Sequence, residues 1–269
     1  MPGNVGAVDL LWGHVCARTG ARVVQRAVHS GPDFVDELWT GVTERTRIVS
    51  FSHITSPTAL VLPAAELCRR AREVGILSFV DGAHAPGQLD LDLEALGADV
   101  YAGNCHKWLC APKGSGFVYV RPEHRDWIEP LILGWGLRED DFTARHRWRG
   151  TADPAAWLAV PAAIDFLAEH DWPGVRRRCH ALAERARVAI AERVGREPLA
   201  PDETWLGQMV AAPLPPCDAE ELQTRLYDEH RIEVPVFPWD DAVLVRPSFQ
   251  GYNDETDLER LVGALDELA

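Results

Sequence analysis

The chain has two lysines, Lys107 and Lys113, against 25 arginines, and both lysines lie within residues 103–116. A guanidinium group stays protonated and cannot form an imine, whereas an ε-amine can lose its proton and attack a carbonyl carbon. A chain that uses arginine at nearly every other cationic position therefore points to a chemical role for lysine in this segment. The alternative is a codon bias toward arginine that left two lysines over. The residues around Lys107 distinguish these explanations.

A carboxylate and two imidazoles accompany this amine at predicted strand ends. Asp81 and His84 follow the apolar run of residues 76–80, and His106 directly precedes Lys107. An unpaired carboxylate is costly at the end of a buried strand, and a cationic heterocyclic nitrogen would be a suitable partner for it. Pyridoxal phosphate requires this arrangement, a lysine for its aldehyde and an acid for its pyridine nitrogen. Taken alone, Asp81 is better explained as a structural or helix-capping carboxylate.

The elements that must position these residues alternate along the chain. We predict strands at residues 22–27, 46–52, 76–80, 99–102 and 116–120, and helices at 62–74 and 93–96. Alternating strands and helices at this spacing predict an α/β fold with a mostly parallel sheet covered by helices. Ligands of such sheets gather at the carboxyl ends of the strands, where His53, Asp81 and Lys107 are expected.

The remainder of the chain is predicted to be helical and then mixed. Residues 154–170 and 174–194 are helical, and a break follows near residues 198–201. Beyond it we predict strands at 206–212, 232–236 and 242–247, and helices at 218–227 and 254–268. This pattern predicts a large α/β domain at residues 1–199 and a small α+β domain at 200–269.

Composition limits the class of function. The net charge of −14 argues against a nucleic-acid surface, and no run of about 18 apolar residues predicts a membrane span. The first residues lack a basic region followed by an apolar stretch, so we expect no secretory signal. The six cysteines are scattered as in proteins with reduced thiols. We expect a cytoplasmic protein with a small-molecule substrate.

Two other kinds of site were considered. The potential zinc ligands are His53, His84, Cys105, His106 and Cys110. Their spacing matches no common zinc framework, so we expect no metal. No Gly-x-Gly-x-x-Gly follows a predicted strand, which argues against a dinucleotide site.

Three segments together resemble a known family. They are residues 81–88 (Asp-Gly-Ala-His-Ala-Pro-Gly-Gln), 103–108 (Gly-Asn-Cys-His-Lys-Trp) and 111–116 (Ala-Pro-Lys-Gly-Ser-Gly). They resemble the class V aminotransferase family of fold-type I pyridoxal-phosphate enzymes, and most of all its isopenicillin N epimerase-like branch. The similarity runs over nearly the whole chain. It implies the fold-type I transferase-like architecture, pyridoxal 5'-phosphate as cofactor, and a homodimer with shared active sites.

The resemblance also implies roles for individual residues. Lys107 would be the Schiff-base lysine, Asp81 the partner of the pyridine nitrogen, and His84 a neighbour of the ring hydroxyl. The further cofactor contacts it implies are Thr55 near the same hydroxyl, Asn104 and His106 at the phosphate, and Gly150 and Thr151 at the phosphate of the neighbouring subunit. Arg246 matches the arginine that binds the substrate carboxylate, a task that suits a planar bidentate group.

The reaction is left open among related chemistries. We expect an enzyme acting at Cα of an amino acid, epimerase-like, with an aminotransferase or a C–S lyase as alternatives that use the same residues. A cysteine desulfurase is disfavoured, because Cys217 directly precedes a helix and no cysteine follows it. Epimerisation needs proton removal and return on opposite faces of Cα. Lys107 can serve one face, and His84 and Cys105 are candidates for the second.

One part of the family pattern is missing. The resemblance implies an upstream Gly/Ser/Thr-rich loop at a helix N-terminus for the phosphate, and a residue that stacks on the ring. We find neither before Asp81. We therefore expect a chain that lacks the family's N-terminal segment, with activity impaired by the loss. The alternative is a truncated, non-catalytic homologue that acts as a dimerising partner.

Overall fold

The structure, a computed structural model, describes residues 6–268. Its helices are α1 (Ala7–Thr19), α2 (Phe34–Trp39), α3 (Ala64–Glu73), α4 (Leu93–Leu96), α5 (Phe142–Arg147), α6 (Ala155–Leu158), α7 (Val160–Glu169), α8 (Trp172–Val194), α9 (Ala219–His230) and α10 (Glu255–Leu268). Its strands are β1 (Ile48–Ser52), β2 (Leu77–Gly82), β3 (Val100–Asn104), β4 (Gly116–Val120), β5 (Ala212–Leu214), β6 (Val236–Trp239) and β7 (Ala242–Val245). Within the described chain, no helix is both long and apolar enough to cross a membrane.

The chain forms two compact units. The central unit contains residues 46–54 and 63–172, and the terminal unit contains the described residues before 46, residues 55–62 and those from 173 onward. The contacts thus group most of the long helix α8 with the C-terminal elements. The boundary predicted from the sequence, between a large domain ending at residue 199 and a small domain beginning at residue 200, stays a prediction.

The central unit is built on a four-stranded sheet in the order β1-β2-β3-β4. The pairs β1–β2 and β2–β3 are parallel, and β3–β4 is antiparallel. The four strands predicted for this region are therefore confirmed, as is a parallel-rich α/β sheet. The predicted strand at 22–27 is wrong: these residues are exposed and have no strand partner. A β-prone sequence forms a strand only where another strand supplies its hydrogen bonds.

Helix α3 shows how the sheet is covered. Its buried residues Ala64, Leu67, Cys68 and Ala71 recur at helical spacing, so they form one apolar face that packs against β2. The predicted helix at 62–74 is confirmed within two residues at either end. The sequence pattern was sufficient here because one face of the helix is consistently apolar.

A buried carboxylate ties the amino end of β3 to its neighbours. Asp99 accepts hydrogen bonds from Ser78 N and Ser78 Oγ, both at 2.8 Å, and from His124 Nε2 at 3.0 Å. Arg121 lies 3.2 Å from the same carboxylate. Burial opposes ionisation, but the hydrogen bonds from Ser78 and His124 outweigh it and lower the pKa of Asp99. The network holds the strands in register below the edge where ligands of such sheets bind.

The terminal unit contains a three-stranded antiparallel sheet in the order β5-β7-β6. Two predicted strands are displaced. The strand predicted at 206–212 is observed only from Ala212, because Met209 makes a single bridge to Ser248 instead of a ladder. The strand predicted at 232–236 is observed at Val236–Trp239, opposite β7.

Candidate active site

Asp81 lies near the carboxyl end of β2, one of the two inner strands of the central sheet. In the register of the parallel strands it stands between Ser52 of β1 and Ala102 of β3. Its backbone oxygen accepts a hydrogen bond from His53 N at 2.8 Å. Its Oδ1 accepts one from Ala83 N at 2.9 Å, which turns the chain out of β2. The carboxylate is half-buried at the edge where ligands of parallel sheets bind.

The turn after Asp81 packs closely on the chain that follows β3. Gly87 has φ +87°, and a Cβ built there would lie 2.4 Å from the carbonyl oxygen of Trp108. Trp172 Nε1 donates to the Gly87 oxygen at 2.8 Å, and Gln88 Nε2 donates to the His84 oxygen at 2.9 Å. Glycine is required at 87 because the two backbones approach closely there. This approach fixes the position of His84 relative to the Lys107 segment.

His84 and Lys107 are in direct contact although 23 residues separate them in the sequence. Lys107 Nζ lies 3.2 Å from His84 Nε2. The other ring nitrogen, His84 Nδ1, accepts a hydrogen bond from the indole nitrogen of Trp108 at 3.3 Å. His84 and Lys107 are half-buried, and Trp108 is only 8% exposed. The amine, the imidazole and the indole thus form one continuous contact.

The segment that carries Lys107 is held by its own hydrogen bonds. Asn104 is the last residue of β3 and lies opposite Gly116 of β4. Cys105 N donates to Ser115 O at 3.1 Å, and His106 Nδ1 also donates to that oxygen at 3.1 Å. Since Nδ1 of His106 is occupied in this way, Nε2 is the ring nitrogen left to contact a ligand.

Cys105 faces the protein interior. It is 3% exposed and belongs to an apolar cluster with Leu109 and Ala111. Burial raises the pKa of its thiol. Of the two candidates for a second acid–base group, these surroundings favour His84.

Tyr101 and His53 form a buried pair beside the carboxylate, which sequence reasoning missed. His53 Nδ1 lies 3.0 Å from the Tyr101 hydroxyl, and a Cβ added to Gly82 would meet the tyrosine ring at 2.1 Å. Burial lowers the pKa of His53 to about 4. Burial and then the charge of Asp81 raise the pKa of Tyr101. The one sequence signal was the glycine after Asp81, which leaves room for the ring.

Arg246 belongs to the terminal unit and has unusual surroundings for a cation. One terminal nitrogen donates to the Ser56 oxygen and lies 3.2 Å from Ser56 Oγ, and the guanidinium carbon lies 5.7 Å from the centre of the Phe237 ring. Burial lowers the pKa of Arg246. Its Nε is buried and, among the described residues, has no hydrogen-bond partner. A buried N–H without a partner is costly, so this side chain is suited to an anionic ligand.

The remaining predicted site residues have ordinary local surroundings. In the terminal unit, Thr55 Oγ1 lies 2.6 Å from Thr58 Oγ1 and accepts from Leu60 N at 2.8 Å, so its hydroxyl closes its own turn. In the central unit, Gly150 and Thr151 lie in an exposed loop between α5 and α6. Their assigned contacts with cofactor remain predictions.

The groups at the sheet edge match the chemistry of pyridoxal phosphate. They are an amine for the aldehyde, a carboxylate on the central strand for the pyridine nitrogen, and an imidazole in contact with the amine. Across residues 6–268, no group of three or more His, Cys, Asp or Glu side chains is arranged to hold a metal ion.

Comparison with known proteins identifies the family to which the chain belongs. The family model described as aminotransferase class-V matches residues 4–261. The chain is 44% identical over 255 residues to an isopenicillin N epimerase of Amycolatopsis lactamdurans, covering 88% of this chain and 64% of the relative. It is 31% identical over 244 residues to a probable L-cysteine desulfhydrase of Arabidopsis thaliana, covering 83% of this chain and 51% of the relative. The chain thus spans less than two thirds of the length of these relatives.

A solved structure shows the same fold. The apo cysteine desulfurase of Thermococcus onnurineus NA1 superposes with a TM-score of 0.84 at 21% identity, covering 96% of this chain and 69% of that chain. The predicted fold-type I architecture is therefore confirmed.

Proposed function

We propose that this chain, which belongs to the class V aminotransferase family, binds pyridoxal phosphate through Lys107 and acts as an epimerase at Cα of an amino-acid substrate. The observation that carries the proposal is the contact between Lys107 Nζ and His84 Nε2, with Asp81 near the end of β2, the neighbour of strand β3 that leads to Lys107. The 44% identity to an isopenicillin N epimerase supports epimerisation over the alternatives.

Bound pyridoxal phosphate supplies an electron sink that weakens the bonds at Cα of an attached amino acid. Asp81 would hold the ring nitrogen through its half-buried carboxylate, whose negative charge favours a protonated nitrogen. Asn104, His106, Thr55, Gly150 and Thr151 are proposed as the further cofactor contacts. Asn104 is the last residue of β3, the strand beside that of Asp81, and His106 lies two residues further on.

Lys107 and His84 would handle the proton. The Lys107 amine, once the amine is released from the cofactor, is the group that can accept the Cα proton. His84 Nε2, 3.2 Å from Lys107 Nζ, is within hydrogen-bond distance and can exchange that proton with the amine. Epimerisation requires that the proton return on the opposite face, and His84 is proposed for that role.

Arg246 would bind the substrate carboxylate. Its Nε is buried and has no hydrogen-bond partner among the described residues, so a bound carboxylate would supply one. A guanidinium can pair with a carboxylate through two parallel hydrogen bonds. The recognised substrate class is therefore an α-amino acid or a molecule that ends in one.

A C–S lyase is the second candidate, favoured by the 31% identity to a probable L-cysteine desulfhydrase. The two reactions differ in products. An epimerase exchanges the Cα proton with solvent and inverts the centre, whereas a lyase releases sulfide from cysteine. Incubation with L-amino acids in D2O, read by NMR and by a sulfide assay, separates them.

We also propose that the chain forms a homodimer. The residues 131–137 of the central unit expose several large apolar side chains, namely Leu131, Ile132, Leu133, Trp135 and Leu137. Contiguous exposed apolar surface of this kind is typical of an interface. Sedimentation of the wild type as a dimer and of Leu133→Asp as a monomer would support this surface. A wild-type monomer would contradict it.

The cofactor itself is tested by chemical trapping. The chain is incubated with pyridoxal phosphate, reduced with borohydride and digested, and the modified peptide is identified by mass spectrometry. We expect modification of Lys107, its loss in Lys107→Arg, and its retention in the matched Lys113→Arg variant, since Lys113 is exposed. A wild-type chain that incorporates no cofactor would refute the enzymatic proposal and favour a non-catalytic partner.

A further inference from the structure

The indole of Trp108 restricts the protonation state of His84. An indole nitrogen is a donor only, so the 3.3 Å contact from Trp108 Nε1 requires a lone pair on His84 Nδ1. Trp108 is 8% exposed, so little water is at hand to replace this acceptor. If His84 Nδ1 carried a proton, its N–H would face the indole N–H of Trp108, and two donors would meet without an acceptor at a mostly buried position.

A neutral imidazole carries a single N–H. If Nδ1 accepts, the proton is on Nε2, which is the nitrogen that faces Lys107. The imidazolium form carries N–H on both nitrogens and would also oppose the indole. The geometry therefore favours neutral His84 with its donor directed at the lysine.

This donor restricts Lys107 in turn. An ammonium group has three donors and no acceptor, so only the uncharged amine can accept a hydrogen bond from His84 Nε2 at 3.2 Å. The uncharged amine is also the form that attacks an aldehyde.

We propose that Trp108 is a positioning residue: its N–H selects the Nε2-protonated form of His84, which favours the uncharged amine of Lys107. The consequence for cofactor capture rests on the proposed function, whereas the protonation states do not. Gly87 maintains the arrangement, because its lack of a Cβ lets the loop of His84 lie against the backbone of Trp108.

The first experiment measures the His84 tautomer in the full chain without added cofactor. The chain has ten histidines, and His84 is assigned in ¹⁵N spectra of imidazole-labelled protein by the signal that disappears in His84→Gln. We expect the proton on Nε2 in the wild type, with a scalar coupling between the Trp108 indole nitrogen and His84 Nδ1 across their hydrogen bond. Protonated Nδ1 in the wild type would overturn the proposal whether or not any variant folds.

The second experiment measures the amine. The two lysines provide an internal ratio, the initial rate of modification of Lys107 by an amine-reactive reagent relative to that of exposed Lys113. Trp108→Phe removes the N–H and keeps an aromatic ring, so we expect the ratio at neutral pH to fall about tenfold, the effect of one buried hydrogen bond. Nδ1-protonated His84 should become detectable in the same variant.

The matched control is Trp172→Phe at the start of α8, which removes another buried indole N–H that donates to the Gly87 oxygen of the same loop rather than to His84. We expect its labelling ratio to stay within about twofold of the wild type, less than one buried hydrogen bond would cause. An unchanged ratio in Trp108→Phe, or an equal fall in both variants, would overturn the proposal. Both experiments omit pyridoxal phosphate, so a chain that never binds it still tests the role of Trp108.

Discussion

Replacement of Gly87 by alanine tests how the two site loops are held together. Gly87 has φ +87°, and its added Cβ would lie 2.4 Å from the oxygen and 2.5 Å from the carbon of the Trp108 carbonyl. Gly114 offers a matched control, because it also has φ +87° but nothing lies within 4 Å of its added Cβ. The two substitutions share the backbone strain and differ in the steric conflict.

The expected magnitudes follow from these contacts. Alanine at a positive φ costs roughly 1 kcal/mol at either position. At residue 87 the carbonyl must also retreat by about 1 Å to reach ordinary carbon–oxygen contact, and overpacking of this kind costs about 1–3 kcal/mol. We expect Gly87→Ala to lower the free energy of unfolding by about 2–4 kcal/mol and Gly114→Ala by about 1 kcal/mol.

Urea denaturation of the cofactor-free chain measures both losses. Since the displaced carbonyl belongs to Trp108, Gly87→Ala should also slow pyridoxal-phosphate trapping at Lys107, whereas Gly114→Ala should not. Equal losses of stability in the two variants, or unaltered trapping in Gly87→Ala, would refute the close approach of the loops as the element that positions Lys107.

Three further predictions concern side chains around the site. Burial lowers the pKa of His53 to about 4, so as pH falls below about 6.5 this histidine is protonated in the unfolded chain before it is protonated in the folded one. The free energy of unfolding should therefore drop by about 3 kcal/mol between pH 7.5 and 4. Urea titrations at several pH values should show a smaller dependence on pH for His53→Asn. Tyr101→Phe leaves His53 Nδ1 buried without its 3.0 Å partner and should cost about 1–3 kcal/mol in denaturation, whereas Tyr252→Phe, at an exposed tyrosine, should cost nothing measurable. Arg246→Lys should raise KM for the amino acid about tenfold or more with little change in kcat. Arg225→Lys, at a side chain that pairs with Glu229 on α9, should leave the steady-state kinetics unchanged.

The central sheet was well predicted because its signals are local. The strands β1 to β4 are short apolar segments bounded by polar or glycine residues, and α3 has one apolar face. Such patterns depend on neighbours along the chain and survive in any correct fold. The strands at 22–27 and 206–212 were wrong because pairing depends on a partner elsewhere in the chain, which local composition does not contain.

The sequence by itself determined the family, the α/β sheet and the placement of Asp81 and Lys107 near the ends of neighbouring strands. The spacing of motifs and the alternation of strands and helices can be read directly along the chain. Only the tertiary structure decided that His84 meets Lys107, that Trp108 donates to the far side of His84, and that Tyr101 and His53 pair behind Asp81. These contacts join residues that are 23, 24 and 48 positions apart in the sequence. They depend on strand register and on two backbones meeting at Gly87, and no local pattern encodes which atoms of the two loops then touch.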